Sequence, residues 1–350
     1  MIEKVHWGIL GTAKIALTKV IPAMQRSPWC EITAIASRDL AKAKEAADNL
    51  GISKVYGSYE ELLADRDVEA IYNPLPNHLH VPWTTRAAEA GKHVLCEKPI
   101  ALTAHEAASL INVRNRTGVR IQEAFMVRTH PQWVETRRLI RYGSIGLLRS
   151  IIGFFSYFND DPANIRNKLE FGGGGLMDIG CYPITISRFM FEKEPLRVLA
   201  LIERDAITDT DTLTTAVLEF PDGHSTFTCS TRLAPYQRMI FVGTKGRIEV
   251  LIPFNATNDR PMRILLDDGS DLTGASAETI EFPVCDQYEI QGSLFSQAIR
   301  ENQAQPIPLE DAISNMTVID AVFRSAQTGQ WEKNNLNSTT RTQIEHKETS

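Results

Sequence analysis

Near the start of the chain, Gly8-Ile9-Leu10-Gly11-Thr12-Ala13-Lys14-Ile15-Ala16 follows a β-like run and opens a helical one. A tight turn in that place lets main-chain N–H groups and a helix N-terminus face a pyrophosphate. The dinucleotide fingerprint is G-x-G-x-x-G/A. Here it reads Gly11-x-Ala13-x-x-Ala16, and alanine at the second position narrows the backbone approach. Gly11, Thr12, Ala13 and Ile15 are therefore candidate cofactor contacts. The next β-like run ends Ala36-Ser37-Arg38-Asp39. An acidic residue there binds a ribose 2′-hydroxyl, whereas Ser37 and Arg38 are donors suited to a 2′-phosphate. Lys42, one helical turn on, adds charge. This set points to NADP rather than NAD, with Asp39 on a ribose hydroxyl as the alternative. Farther along, Asp178 and Tyr182 stand four residues apart, the spacing that puts two side chains on one face of a helix.

These residues need elements to hold them. Over the first 120 or so residues, β-like runs at 5–11, 31–37, 55–56, 70–72, 93–96 and 120–124 alternate with helical runs. The helices read as 15–24 (interrupted by Pro22), 39–50, 58–64 (capped by Ser58), 81–90 and 104–116. Such alternation predicts a parallel sheet with crossover helices, an α/β Rossmann dinucleotide-binding domain over 1–124. Beyond residue 125 the texture changes. Helices at 131–142 and 175–191 accompany strand-like runs at 147–158, 196–206, 212–220, 224–231, 238–243, 247–252, 262–266 and 278–284. Turns such as Pro221-Asp222-Gly223 and Asp267-Asp268-Gly269 separate them. Two helices follow, at 288–301 and 309–328. The prediction is an α+β domain over 125–330 with a large, mostly antiparallel sheet, then a polar tail over 331–350.

Composition bounds the function. The chain has 350 residues, 43% apolar and 23% charged, ample for two cores. Its net charge of −6 argues against a nucleic-acid partner. No run approaches ~18 consecutive apolar residues, so no membrane partner is expected. Five cysteines, none in a Cys-x-x-Cys pair, read as reduced buried thiols rather than disulfides or zinc ligands. His78-x-His80 lacks a third ligand nearby, so no metal is expected. The chain opens Met-Ile-Glu-Lys and enters an apolar run at once; with no export signal evident, a cytoplasmic location is expected.

Cys96-Glu97-Lys98-Pro99 lies at the end of a β-like run, about 85 residues after the glycine loop. With the loop and with Gly172-Gly173-Gly174-Gly175-Leu176-Met177-Asp178-Ile179-Gly180-Cys181-Tyr182-Pro183, it resembles the glucose–fructose oxidoreductase/inositol dehydrogenase (Gfo/Idh/MocA) family, whose second motif is G-G-G-x-x-x-D-x-G-x-H/Y. Glu123-Ala124-Phe125-Met126-Val127-Arg128-Thr129-His130-Pro131-Gln132 and Asn164-Ile165-Arg166 resemble its branch of NADP-dependent xylose dehydrogenases, dimeric dihydrodiol dehydrogenases and aldose–aldose oxidoreductases. The resemblance spans residues 4 to about 330.

That resemblance implies an NADP-dependent oxidoreductase acting on a CH–OH carbon of a sugar, polyol or diol, with Lys98 and Tyr182 catalytic. The physical reading agrees. Reducing a ketone needs a proton donor at the developing alkoxide, and oxidation needs the same group as base. Tyrosine titrates near ~10, too high for base work near neutrality, and a nearby ammonium lowers that value. Asp178 accepts from a substrate hydroxyl in this reading, with a helix first-turn carboxylate as its alternative. Arg128 and Arg166 are candidate donors to the substrate, with ordinary surface arginines as theirs. Pro74, Leu75, Asn77 and His80 resemble the loop beside the nicotinamide, Glu97 belongs to the lysine motif, and Tyr288 resembles a tyrosine that approaches the nicotinamide. A homodimer or higher homo-oligomer is expected by the same analogy. Two rivals remain: an enzyme that keeps NADP bound and shuttles hydride between two sugars, and a non-catalytic NADP-sensing or scaffold protein.

Overall fold

The structure, a computed structural model, describes residues 3–335. Strands β1 (Val5–Leu10), β2 (Cys30–Ala36), β3 (Lys54–Tyr56), β4 (Ala70–Asn73), β5 (His93–Cys96) and β6 (Ile121–Glu123) alternate with helices α1 (Ile21–Arg26), α2 (Leu40–Leu50), α3 (Tyr59–Ala64), α4 (His80–Glu89) and α5 (Ala104–Thr117). The strands form one sheet in the order β3-β2-β1-β4-β5-β6, every neighbouring pair parallel. Helices cover the sheet, so its strands are near-continuous apolar runs; Val5, Trp7, Ile9 and Leu10 are fully buried. Sequence signals set the helix ends. Asp39 caps α2 and Gly51 ends it in the left-handed region, and Ser58 with Glu61 forms a capping box on α3. The strand order reverses between β1 and β4, where sheets of this class bind ligands at the carboxyl ends of the strands.

The helix expected over 15–24 is instead a π turn, Ala16–Val20, followed by α1. Pro22 has no N–H to donate to the preceding turn, and the wider turn absorbs the missing bond.

Downstream come α6 (Pro131–Arg141), β7 (Leu148–Phe158), a π turn (Leu176–Gly180), α7 (Cys181–Phe191) and strands β8 (Arg197–Arg204), β9 (Asp211–Phe220), β10 (Gly223–Ser230), β11 (Arg232–Gly243), β12 (Arg247–Val250), β13 (Met262–Asp267) and β14 (Glu278–Phe282). Helices α8 (Gln287–Arg300) and α9 (Leu309–Thr328) follow, then β15 (Glu332–Lys333). The sheet order is β14-β13-β12-β11-β7-β10-β9-β8-β15, and β7–β10 is its one parallel pair among the described residues. One face carries Ile151, Phe155, Phe227, Leu218, Met239 and Phe241, all buried; the other leaves Ile152, Leu201 and Tyr236 exposed.

Three details differ from the sequence reading. Strand β11 begins at Arg232, six residues before 238, with an irregularity between Arg232 and Tyr236 that hides its alternation. Glu332 and Lys333 pair with β8, so the polar run from 331 begins as an edge strand; residues 336–350 lie outside the described residues. The chain also divides differently from a single boundary after 124. One compact unit takes the residues up to Met126 together with Asp286–Ile313, and the other takes Val127–Cys285 and residues 314–335. The reason is the apolar face of α8. Its Phe295 meets Trp7 of β1 with ring centroids 5.8 Å apart, Ser296 accepts the Trp7 indole N–H at 3.0 Å, and Arg300 pairs with Glu69. Among the described residues, no helix is long and apolar enough to cross a membrane.

Candidate active site

In the first unit, Gly11 ends β1 with φ +82°, a conformation costly for any residue with a side chain. Its N–H donates to Ala36 O at 2.7 Å, which ties the turn to the end of β2. Thr12, Ala13 and Ile15 follow, all partly buried, and Ala13 and Ile15 pack on the core. At the end of β2, Ser37 is buried and its hydroxyl accepts the Asp39 N–H at 3.1 Å. The Asp39 carboxylate accepts the N–H groups of Ala41 and Lys42 and pairs with the Lys42 ammonium at 3.6 Å. Arg38 is exposed; burial pushes the Tyr59 phenol upward, and the charge of Arg38 opposes part of that rise.

The loop after β4 is held from within. Asn73 donates to His80 O at 3.1 Å and accepts from Leu75 N–H at 3.3 Å. Pro74 and Leu75 are buried, and Asn77 opens a short 3₁₀ turn. The His80 ring is buried, with Nδ1 2.7 Å from Pro99 O and Nε2 2.6 Å from Leu75 O. Burial lowers its pKa to about 4. His80 thus staples this loop to the turn after Lys98, with both ring nitrogens facing main-chain carbonyls.

Lys98 follows β5, where Glu97 N–H donates to Asn73 O at 3.0 Å. The Glu97 carboxylate accepts the Tyr72 hydroxyl at 2.7 Å and the Lys98 N–H at 3.3 Å. Tyr288 sits in the first turn of α8, its N–H accepted by the Asp286 cap at 2.9 Å. Burial pushes the Tyr288 phenol upward, Glu97 adds to the shift and Lys98 opposes it. The fold therefore brings Tyr288, distant in sequence, into the electrostatic neighbourhood of Glu97 and Lys98.

In the second unit, Asp178 lies in the π turn and Tyr182 at the start of α7, so the helix expected over 175–191 is interrupted. Pro183 is again the cause, three residues past the turn. The Asp178 carboxylate accepts the Tyr157 hydroxyl at 2.6 Å and Arg166 Nε at 2.9 Å. Asp178 first, then Tyr157 and Tyr182, raise the Arg166 pKa, so the guanidinium stays charged within electrostatic reach of Tyr182. Tyr182 is buried between aromatic rings, 5.7 Å from Phe155 and 5.3 Å from Phe254 between centroids. Arg128 lies along α7, donating to Thr185 at 3.3 Å with its guanidinium 4.2 Å over Phe189.

Asp178, Arg166 and Tyr182 thus form one group in the second unit, and Glu97, Lys98 and Tyr288 another in the first. Tyr157 is the member that sequence reasoning missed. It stands in the aromatic-rich end of β7, Phe154-Phe155-Ser156-Tyr157-Phe158, and nothing in the spacing marks it.

A doubly wound parallel sheet with a glycine turn at its first crossover, followed by an open antiparallel sheet, defines a class of dinucleotide-dependent oxidoreductases. A family model described as the oxidoreductase family with an NAD-binding Rossmann fold matches residues 5–125, and the GFO/IDH/MocA C-terminal domain matches residues 133–249. The chain belongs to the Gfo/Idh/MocA oxidoreductase family. It is 50% identical to an uncharacterized oxidoreductase of Rhizobium meliloti, over 94% of this chain and 99% of that one. It is 37% identical to a D-xylose 1-dehydrogenase (NADP(+)) of Haloferax volcanii, over 92% and 98%. A 3-ketoreductase from Actinomadura kijaniata, solved with NADP and TDP-benzene, superposes with a TM-score of 0.86 at 30% identity, covering 92% of this chain and 98% of that one.

Proposed function

We propose that this chain moves a hydride between NADP(H) and a carbon of a sugar or related polyol, with Tyr182 exchanging the proton and Lys98 supplying positive charge. Lys98 carries this reading by its place at the carboxyl end of β5, bonded through its N–H to Glu97 and near Tyr288. Ligands of doubly wound sheets bind at that end of the strands. Bound NADP supplies or accepts the hydride. Gly11, Thr12, Ala13 and Ile15 would face its pyrophosphate, and Pro74, Leu75, Asn77, Glu97 and Tyr288 its nicotinamide end. His80 shapes that loop from beneath.

Three observations favour NADP over NAD. Asp39, the residue able to take a ribose hydroxyl, is engaged as the cap of α2 and paired with Lys42. The neighbouring Arg38 offers the bidentate donors that a phosphate suits. The relatives from Haloferax volcanii and Actinomadura kijaniata are named with NADP. On the substrate side, Asp178 and Arg166 supply an acceptor and a donor for hydroxyl groups, a pairing fitted to polyols. Arg128, engaged by Thr185 and Phe189, supports α7. The exposed apolar residues on the outer face of the nine-stranded sheet support a homodimer. The deciding experiment compares NADP and NAD turnover across aldoses, ketoses, inositols and dihydrodiols, repeated with Tyr182→Phe. NADP-dependent turnover lost in that variant bears out the assignment, and unchanged turnover ends it.

A further inference from the structure

Asp211 opens β9 and is 2% exposed, a buried carboxylate to which the proposed chemistry gives no part. Its Oδ2 accepts the Leu176 N–H at 2.6 Å and the Thr214 hydroxyl at 3.1 Å. Leu176 is the first residue of the π turn that carries Asp178 and leads directly to Tyr182. The opening N–H groups of a helical segment have no partner within it, and Gly175, just before the turn, has no side chain to cap them. The carboxylate reaches in from the sheet and does so. Its approach explains the glycine run: a Cβ at Gly174 would overlap Asp211 Oδ1, and Gly174 itself has φ +113°, where a side chain is strained. Burial pushes the Asp211 pKa upward, and the Leu176 and Thr214 bonds oppose that shift.

We propose that Asp211 is a positioning residue for the reaction: by holding the Leu176 amide it fixes where the turn begins, and so where Asp178 and Tyr182 stand. The proposal rests on the reading of Tyr182 as the proton-exchanging group. A buried cap left without its acceptor loosens the turn, and a small displacement of a reacting group costs far more rate than stability.

The test uses the full chain as wild type, Asp211→Asn and Asp211→Ala. The asparagine keeps an acceptor oxygen for Leu176, and the alanine keeps none. Expected for Asp211→Ala are a kcat lower by about tenfold or more, an NADPH dissociation constant within about twofold, and faster amide exchange across residues 174–182. Asp211→Asn should restore kcat to within about threefold. The proposal is overturned if Asp211→Ala retains wild-type kcat, if exchange across 174–182 is unaltered, or if the asparagine variant loses as much kcat as the alanine. Should the alanine variant fail to fold, Asp211→Ser, too short to reach Leu176, takes its place on the same criteria. If the wild type shows no turnover, the Tyr182 reading fails, and the exchange measurement alone decides whether Asp211 holds the turn.

Discussion

Tyr157 donates its hydroxyl to the Asp178 carboxylate at 2.6 Å, from strand β7 to the π turn before α7. Arg166 donates to the same oxygen at 2.9 Å, so two donors converge on one atom. A carboxylate held by two donors keeps its orientation whether or not the proposed hydroxyl-bearing substrate is bound. Removing one donor should therefore weaken substrate binding more than turnover. Tyr157→Phe is expected to raise KM about threefold and Asp178→Asn about tenfold, in line with roughly 1 kcal/mol per hydrogen bond. Steady-state kinetics on the preferred sugar checks this, and a fall in kcat at constant KM would contradict it.

Tyr182→Phe removes one hydroxyl and keeps the ring against Phe155 and Phe254. Stability should hold while kcat drops by roughly 10² to 10⁴, the usual worth of a general acid–base group. Paired thermal melts and initial rates separate the two effects.

Arg38→Ala tests cofactor choice. If Arg38 holds the 2′-phosphate as proposed, the expected outcome is NADP affinity lower by about tenfold or more, with NAD affinity within about twofold, because the charge-assisted phosphate contact is the one that distinguishes the two cofactors. Fluorescence titration with both reduced cofactors reads the ratio. Equal losses for both would mean that Arg38 acts on the fold.

Acid should destabilise the protein through its buried histidines. Burial lowers His80, His93 and His130 from 6.5 to about 4. Between those values the unfolded chain binds more protons than the native one, so stability is present in full above pH 6.5 and is lost as pH falls toward 4. Each group contributes up to about 3 kcal/mol to this loss. Melting temperatures from pH 7.5 down to 4.5 should decline, less steeply in His93→Gln; a flat profile would contradict the assignment.

The outer face of the nine-stranded sheet exposes Ile152 at 47% and Leu201 at 77%. If a second copy covers this face, Leu201→Arg should shift the mass in solution toward the monomer while leaving the melt cooperative. Multi-angle light scattering gives the answer directly.

The sequence by itself determined the local events. Strand–helix alternation gave the parallel sheet, because helices cover both its faces and its strands become apolar runs. Asp39, Ser58 and Gly51 set helix ends through short-range hydrogen bonds and backbone freedom. The Glu97-Lys98-Pro99 and Asp178–Tyr182 motifs were legible as patterns. Two π turns were not, although Pro22 and Pro183 carry their cause, since a missing N–H is met equally by a kink, a break or a wider turn. What only the tertiary structure decided depends on distant partners. Trp7 and Phe295 draw α8 into the first unit, Tyr157 finds Asp178, and Tyr288 nears Glu97. The glycines before Asp178 show the difference most clearly. Their presence is written in the chain, but the reason for Gly174, a buried carboxylate contributed by the distant strand β9, exists only once the sheet has formed.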